Sequence, residues 1–129
     1  MSKILTEISA GELLDKLSIL EIKLNKINNP ALLQEIKKEY EAISEAKNKN
    51  INSSDEINFL YTDLKKINEQ LWEIEDKIRL CEKNSDFKDK FIQLARNVYF
   101  NNDKRYKIKS KINKISGSNI QEIKQYTQY

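Results

Sequence analysis

The sequence predicts an all-α fold. A long antiparallel, coiled-coil-like hairpin over residues 54–116 packs with a shorter helical hairpin over residues 10–47, giving a four-helix up-down bundle. Three observations carry this expectation. Only two glycines and one proline occur in 129 residues, too few for the frequent turns of a multi-stranded β fold. Charged residues make up 33% and apolar residues 39%, the balance of helices with one apolar stripe and a wide solvated face. Apolar residues then recur at heptad spacing from Ile57 to Cys81 without a break. A chain of this length suits a single domain, 1–129, with a modest core.

The elements follow in order. Ser9-Ala10-Gly11-Glu12 reads as a capping box, in which the serine accepts from the third helical N–H and the glutamate reaches back. Behind it Leu13, Leu17, Leu20, Leu24 and Ile27 form one stripe, closed by Asn28-Asn29-Pro30. Pro30 suits the first position of a second helix reaching about Lys47, with Leu33, Ile36, Tyr40 and Ile43 inward. Ser53-x-x-Glu56 is a second capping box and opens the third helix. Its seam is Ile57, Leu60, Leu64, Ile67, Leu71, Ile74, Ile78 and Cys81. Asn84-Ser85-Asp86 breaks that pattern and caps a fourth helix over 87–116, with Phe91, Leu94, Val98, Ile108, Ile112 and Ile115 inward. A link this short makes the two long helices antiparallel neighbours. The tail, 117–129, is expected to pack back on the bundle through Ile120, Ile123, Tyr126 and Tyr129.

Several chemistries are excluded by residue type. The chain has no histidine and one cysteine, so zinc ligation by Cys and His is ruled out, and with it Ser–His or Cys–His nucleophile pairs. Two glycines cannot build a phosphate-cradling loop of the P-loop or GxGxxG kind. No cofactor, metal or catalytic residue is implied. The lone Cys81 cannot form an intramolecular disulfide, no signal peptide is recognisable, and no apolar run approaches the ~20 residues of a membrane span. A cytoplasmic location with no membrane partner is therefore expected. A net charge of +3 is too small to argue for a nucleic-acid partner. The basic stripe Lys104, Lys107, Lys111 and Lys114 reads as a solvated face, partly neutralised across the hairpin by Asp55, Glu56 and Asp63.

The seam of the fourth helix is interrupted at Asn101 and Arg105, where polar groups serve register or function. Folding the hairpin about residue 85 sets Glu75 near Arg96, Trp72 near Tyr99 and Asn68 near Asp103. Asn68, Trp72, Glu75 and Arg79 share one face of the third helix, and Glu21 and Lys23 of the first stand near their level. The candidate polar cluster is thus Glu21, Lys23, Asn68, Trp72, Glu75, Arg79, Arg96, Asn101, Asn102, Asp103 and Arg105. It is either a structural ion-paired layer that sets helix register or a pocket for an anionic ligand. Arginine is scarce, three against twenty lysines, which marks Arg79, Arg96 and Arg105 as positions needing a forked donor.

Three stretches resemble a family of small bacterial and phage proteins of unassigned function, some fused to tetratricopeptide-repeat domains. They are Ile8-Ser9-Ala10-Gly11-Glu12-Leu13-Leu14-Asp15-Lys16-Leu17 with Ile19-Leu20-Glu21-Ile22-Lys23, then Asn68-x-x-Leu71-Trp72-x-Ile74-Glu75-Asp76-x-Ile78-Arg79, and finally Leu94-Ala95-Arg96-x-Val98-Tyr99 with Asn102-Asp103-x-Arg105. The resemblance covers most of helices one, three and four. It implies no activity, but it implies that the polar positions above, including all three arginines, are family features.

Two functional readings follow. The first is a non-catalytic helical interaction or assembly module, because a first helix of ~19 residues spans only about 28 Å and leaves the tip of the longer hairpin uncovered. Leu80, Phe87 and Phe91 would then need a homodimer partner or another protein. The alternative is a small anionic-ligand binder, or an all-helical enzyme, with an Arg-lined pocket between helices.

Overall fold

The computed structural model describes residues 2–129. It contains four helices: α1, Ala10–Lys26; α2, Pro30–Asn50; α3, Asp55–Lys83; and α4, Asp89–Ser116. No strand occurs among the described residues.

Local chemistry explains each boundary. Ser9 Oγ accepts from Glu12 N at 3.1 Å, so the serine half of the expected capping box forms, whereas the Glu12 carboxylate turns to Lys109 of α4 at 2.9 Å and does not reach back. Asn29 accepts from the N–H groups of Ala31 and Leu32, with Pro30 directly inside the helix. α2 runs one turn beyond its expected end, through Asn50. The cap of α3 is Ser54, not Ser53; its Oγ accepts from Ile57 N at 3.1 Å, leaving Asp55 and Glu56 in the first turn. At the hairpin turn Asp86 N donates to Cys81 O at 2.8 Å while Ser85 adopts φ 52°, which closes α3 instead of opening α4. α4 accordingly begins at Asp89, two residues later than expected. Its far end is closed by Gly117 at φ 64°, with Ser118 N bonded to Asn113 O at 2.9 Å. That left-handed residue is a position glycine takes without strain.

α1 is the hub, packing against α2, α3 and α4, while the backbone of α2 comes close to α1 alone. This follows from burial on α1. Beside the expected leucine stripe, a second one is formed by Gly11, Asp15, Ser18 and Ile22. A helix with two buried stripes sits inside a bundle. No residue of α2 is fully buried, and only Tyr40 and Ile43 of that helix reach the core. The core itself is Leu14, Leu17, Ile57, Leu60, Leu64 and Ile112. It lies where α1 meets the first half of α3 and the second half of α4.

α1 ends where Lys26 donates to Glu73 at 3.0 Å, and beyond that level the heptad continues without α1 to cover it. Ile74 and Cys81 stay buried against α4, whereas Ile67, Leu71 and Ile78 are only half-buried. At 1.5 Å per residue the 17 residues of α1 reach about 26 Å and the 29 of α3 about 44 Å, so the outer part of the hairpin stands alone. The tail has no regular structure and returns along α4, where Tyr106 donates to Glu122 O at 3.3 Å and Tyr129 touches Tyr99 and Phe100, but Ile120, Ile123, Tyr126 and Tyr129 all stay exposed and do not pack inward as expected.

Candidate functional site

The polar centre of the bundle is built around Asp15. Its place in the second stripe of α1 leaves it 1% exposed. A carboxylate there demands partners, because an unpaired buried charge is strongly unfavourable. Arg105 of α4 supplies two: Nε donates to Oδ1 at 2.9 Å, and a terminal nitrogen donates to Oδ2. Asn68 of α3 donates to the same Oδ1 at 2.9 Å and to Ser18 Oγ at 2.7 Å. Ser18 in turn donates to the Asp15 carbonyl at 2.8 Å. Burial pushes the Asp15 carboxyl upward, but hydrogen bonds from Arg105 and Asn68, with the charges of Arg105 and Lys109, outweigh it. The net result lies below the ordinary carboxylate value. Arg105 is raised by its hydrogen bond to Asp15, despite burial.

One turn towards the end of α4 lies a second buried ion. Lys109 Nζ sits between Glu12 at 2.9 Å and Glu122 of the tail at 3.1 Å. Burial pulls this ammonium down, and the two glutamates with Asp15 more than restore it. α1 can come so close to α4 because residue 11 is glycine. A Cβ there would meet Lys109 O at 2.6 Å. The Gly11 N–H instead donates to Asn113 Oδ1 at 2.6 Å, and Ala10 N donates to Ser118 Oγ at 2.9 Å. Through these bonds Ser9-Ala10-Gly11-Glu12 caps α1 and also docks it on the end of α4.

Of the cluster expected from the sequence, the structure brings Asn68 and Arg105 together and separates the rest. Glu21 forms its own layer, accepting from the Tyr61 hydroxyl at 2.5 Å and from Lys65 at 2.9 Å. Burial, then the Glu21 carboxylate, raise the Tyr61 hydroxyl well above the ordinary phenol range. Glu75 does not pair with Arg96 across the hairpin; it pairs with Arg79 one turn along α3, the nearer partner on an exposed face. Arg96 is exposed and lies 5.5 Å from the centre of the Phe100 ring. Asn101 is buried, donating to Asn97 O at 2.8 Å, and its Oδ1 has no partner. Asp103 accepts from the hydroxyl of Tyr129 in the tail. Trp72 and Asn102 are half-buried outside the Asp15 network, and Trp72 forms no aromatic pair with Tyr99, which stacks on Phe100 and Tyr129 instead. Lys23 makes no ion pair among the described residues.

Asp15, Ser18, Glu12, Lys109 and Asn113 are the members that the sequence reading did not single out. Gly11, Asp15, Ser18 and Ile22 are spaced 4, 3, 4, a heptad rhythm hidden beside the leucine stripe because three of the four are small or polar.

Chemically, every charge in the interior is neutralised by a partner from another element. Asp15 and Arg105 occupy each other, and none of the three best-formed clefts is lined by an arginine. The largest of these three, about 950 Å³, lies between α4 and the tail, with Phe100, Tyr106 and Tyr126 beside Lys104, Lys107 and Lys124. No helix of the described residues is long and apolar enough to cross a membrane. No curated protein and no solved structure matches the chain. A family does, over residues 4–129, a span that contains every residue of the Asp15 and Lys109 networks. The chain belongs to the family of unknown function DUF6165.

Proposed function

We propose that the chain is a non-catalytic helical assembly module of the cytoplasm that self-associates through the outer end of the α3–α4 hairpin. One observation carries the reading. Past the reach of α1, Leu80, Phe87 and Ile92 are each half or more exposed, and Phe91 packs edge-on against Phe87 at 5.4 Å. Large apolar side chains grouped on one end of a rod mark a contact surface, because covering them removes apolar area from water. The interior supports the same reading, since its buried ions are consumed in holding α1, α3 and α4 together.

Light scattering on the intact chain tests it. A mass above the 15.2 kDa monomer is expected, and Leu80→Glu with Phe87→Glu should lower that mass without lowering the helix content. A double variant of unchanged mass would refute a role for the hairpin end.

A second reading, binding of a small anion, is favoured by the cleft between α4 and the tail. There Lys104, Lys107 and Lys124 would supply the charge, the arginines taking no part. A rise in melting temperature with anionic metabolites, abolished by Lys104→Glu with Lys107→Glu, would support it.

A further inference from the structure

The opposite end of the molecule carries a second unsatisfied surface. Residues 2–8 precede the cap of α1 as an arm with neither helix nor strand pairing. Ile4 is 91% and Leu5 88% exposed, more than any other large apolar side chain among the described residues. The arm is anchored at its root, where Asn119 donates to Glu7 at 3.0 Å and Ala10 N to Ser118 Oγ at 2.9 Å. Its far end lies on the α2 side, where the Glu45 carboxylate, held below its ordinary value chiefly by Lys49, also feels the Lys3 charge.

At the same end of the bundle, α3 begins and α4 finishes, and an open groove of about 660 Å³ runs between them. Phe59, Leu60 and Ile115 form its apolar part, and Phe59 is 69% exposed. Asp55 and Glu56 stand on its α3 rim, Lys111 and Lys114 on its α4 rim. The arm reads Lys3-Ile4-Leu5-Thr6-Glu7: a cation, two aliphatics and an anion. The groove offers acids, an apolar strip and cations in matching order.

We propose that this groove is the docking site for the arm of a second copy of the chain. Ile4 and Leu5 cover Phe59, Leu60 and Ile115, Lys3 meets Asp55 and Glu56, and Glu7 meets Lys111 and Lys114. Charge complementarity favours this occupant over an unrelated apolar segment, because it pairs both rims at once. The molecule's own arm leaves its own groove empty and turns towards α2. Arm and groove lie at one end, so a two-fold axis there lets each copy fill the other's groove, the self-complementary arrangement of a closed dimer. Beyond the anchor at Glu7, residues 2–6 reach about 17 Å at most, enough to cross to a neighbouring subunit at a two-fold axis. The inference is independent of the hairpin end, which lies at the other pole of the rod.

Disulfide trapping tests it on the full chain in a Cys81→Ser background, since Cys81 is buried and the only other thiol. Protein carrying Leu5→Cys, mixed with protein carrying Phe59→Cys under mild oxidation, should give a disulfide-linked heterodimer. The exposed Lys77→Cys of the outer hairpin should not link to it. Equal linkage to both positions would overturn the proposal, as would a Leu5→Cys/Phe59→Cys double variant that closes only within one chain. Solution mass separates this interface from the hairpin end. Leu80→Glu with Phe87→Glu should still leave a dimer, and adding Ile4→Glu with Leu5→Glu should reduce it to monomer. A monomer before the arm is changed would sink the arm exchange and leave the hairpin reading standing. A fall to monomer with the arm changes alone would do the reverse.

Discussion

Asp15 of α1 and Arg105 of α4, ninety residues apart in sequence, form a two-pronged ion pair at the centre of the bundle, and Asn68 of α3 closes it from the third side. One carboxylate therefore sets the relative positions of three helices. Removing either partner is more damaging than the ion pair itself is stabilising, because the survivor stays buried without compensation. Asp15→Ala should cost about 3–5 kcal/mol in urea unfolding. Arg105→Lys should cost about 1.5–3 kcal/mol, since an ammonium cannot reproduce both donors to the carboxylate. Arg96→Lys, on an exposed side chain, should stay within about 0.5 kcal/mol. An Arg105→Lys protein as stable as wild type would show that the fork is not needed.

The same carboxylate predicts an acid-sensitive fold. The Asp15 carboxyl lies below its ordinary value of 3.8 when folded, so the unfolded chain takes up its proton first. Its stabilisation is fully present above the unfolded value and is lost as pH falls through the folded one. The gap in urea midpoint between wild type and Asp15→Asn should thus be widest near pH 7 and shrink below about pH 4. A constant gap would contradict the assignment.

Gly11 is predicted to be sensitive for a packing reason, and Gly117 for a conformational one. Gly11→Ala places a methyl 2.6 Å from the Lys109 carbonyl and 2.8 Å from Asn113 Oδ1, forcing α1 away from α4 at a cost of about 1–3 kcal/mol. Gly117→Ala meets nothing within 4 Å, and only its φ of 64° is strained, for about 1–2 kcal/mol. Circular dichroism melts would rank the two. Chemical shifts separate them further, because only Gly11→Ala should disturb residues on both α1 and α4.

Truncations along the α3 seam should report how far α1 extends. Leu64 is fully buried in the core, and Leu64→Ala should cost about 2–5 kcal/mol. Leu71 continues the same heptad but is half-buried, so Leu71→Ala should cost less, about 1–2 kcal/mol. Lys111→Ala, on the exposed face of α4, should cost under about 0.5 kcal/mol. Equal losses at Leu64 and Leu71 would mean that the outer hairpin is covered in solution.

The elements themselves were legible in the sequence, because helix period, caps and breakers act over a few residues. The heptad from Ile57 to Cys81, the Ser9 cap and the stop at Gly117 all appear in the structure as their local chemistry requires. Differences were confined to cap choice, Ser54 for Ser53, to the end of α2, which runs on to Asn50, and to the start of α4 after a turn that spends Asp86 on closing α3. Antiparallel pairing also followed from the short link, and it placed Asn68 and Arg105 at one level correctly.

What only the tertiary structure decided is which buried group each polar residue meets. The register of α1 against the hairpin has no local determinant, so Asp15 could not be distinguished from an exposed acid until Gly11 was seen against the Lys109 carbonyl. The fate of Glu75 turned on the same kind of competition. A partner on its own helix is always within reach, whereas Arg96 depends on helix rotation, and the exposed outer hairpin has no third helix to impose it. Period and capping are properties of one segment and can be read from it. Register and ion pairing depend on the packing of several segments together, and here α1 in the centre settled them.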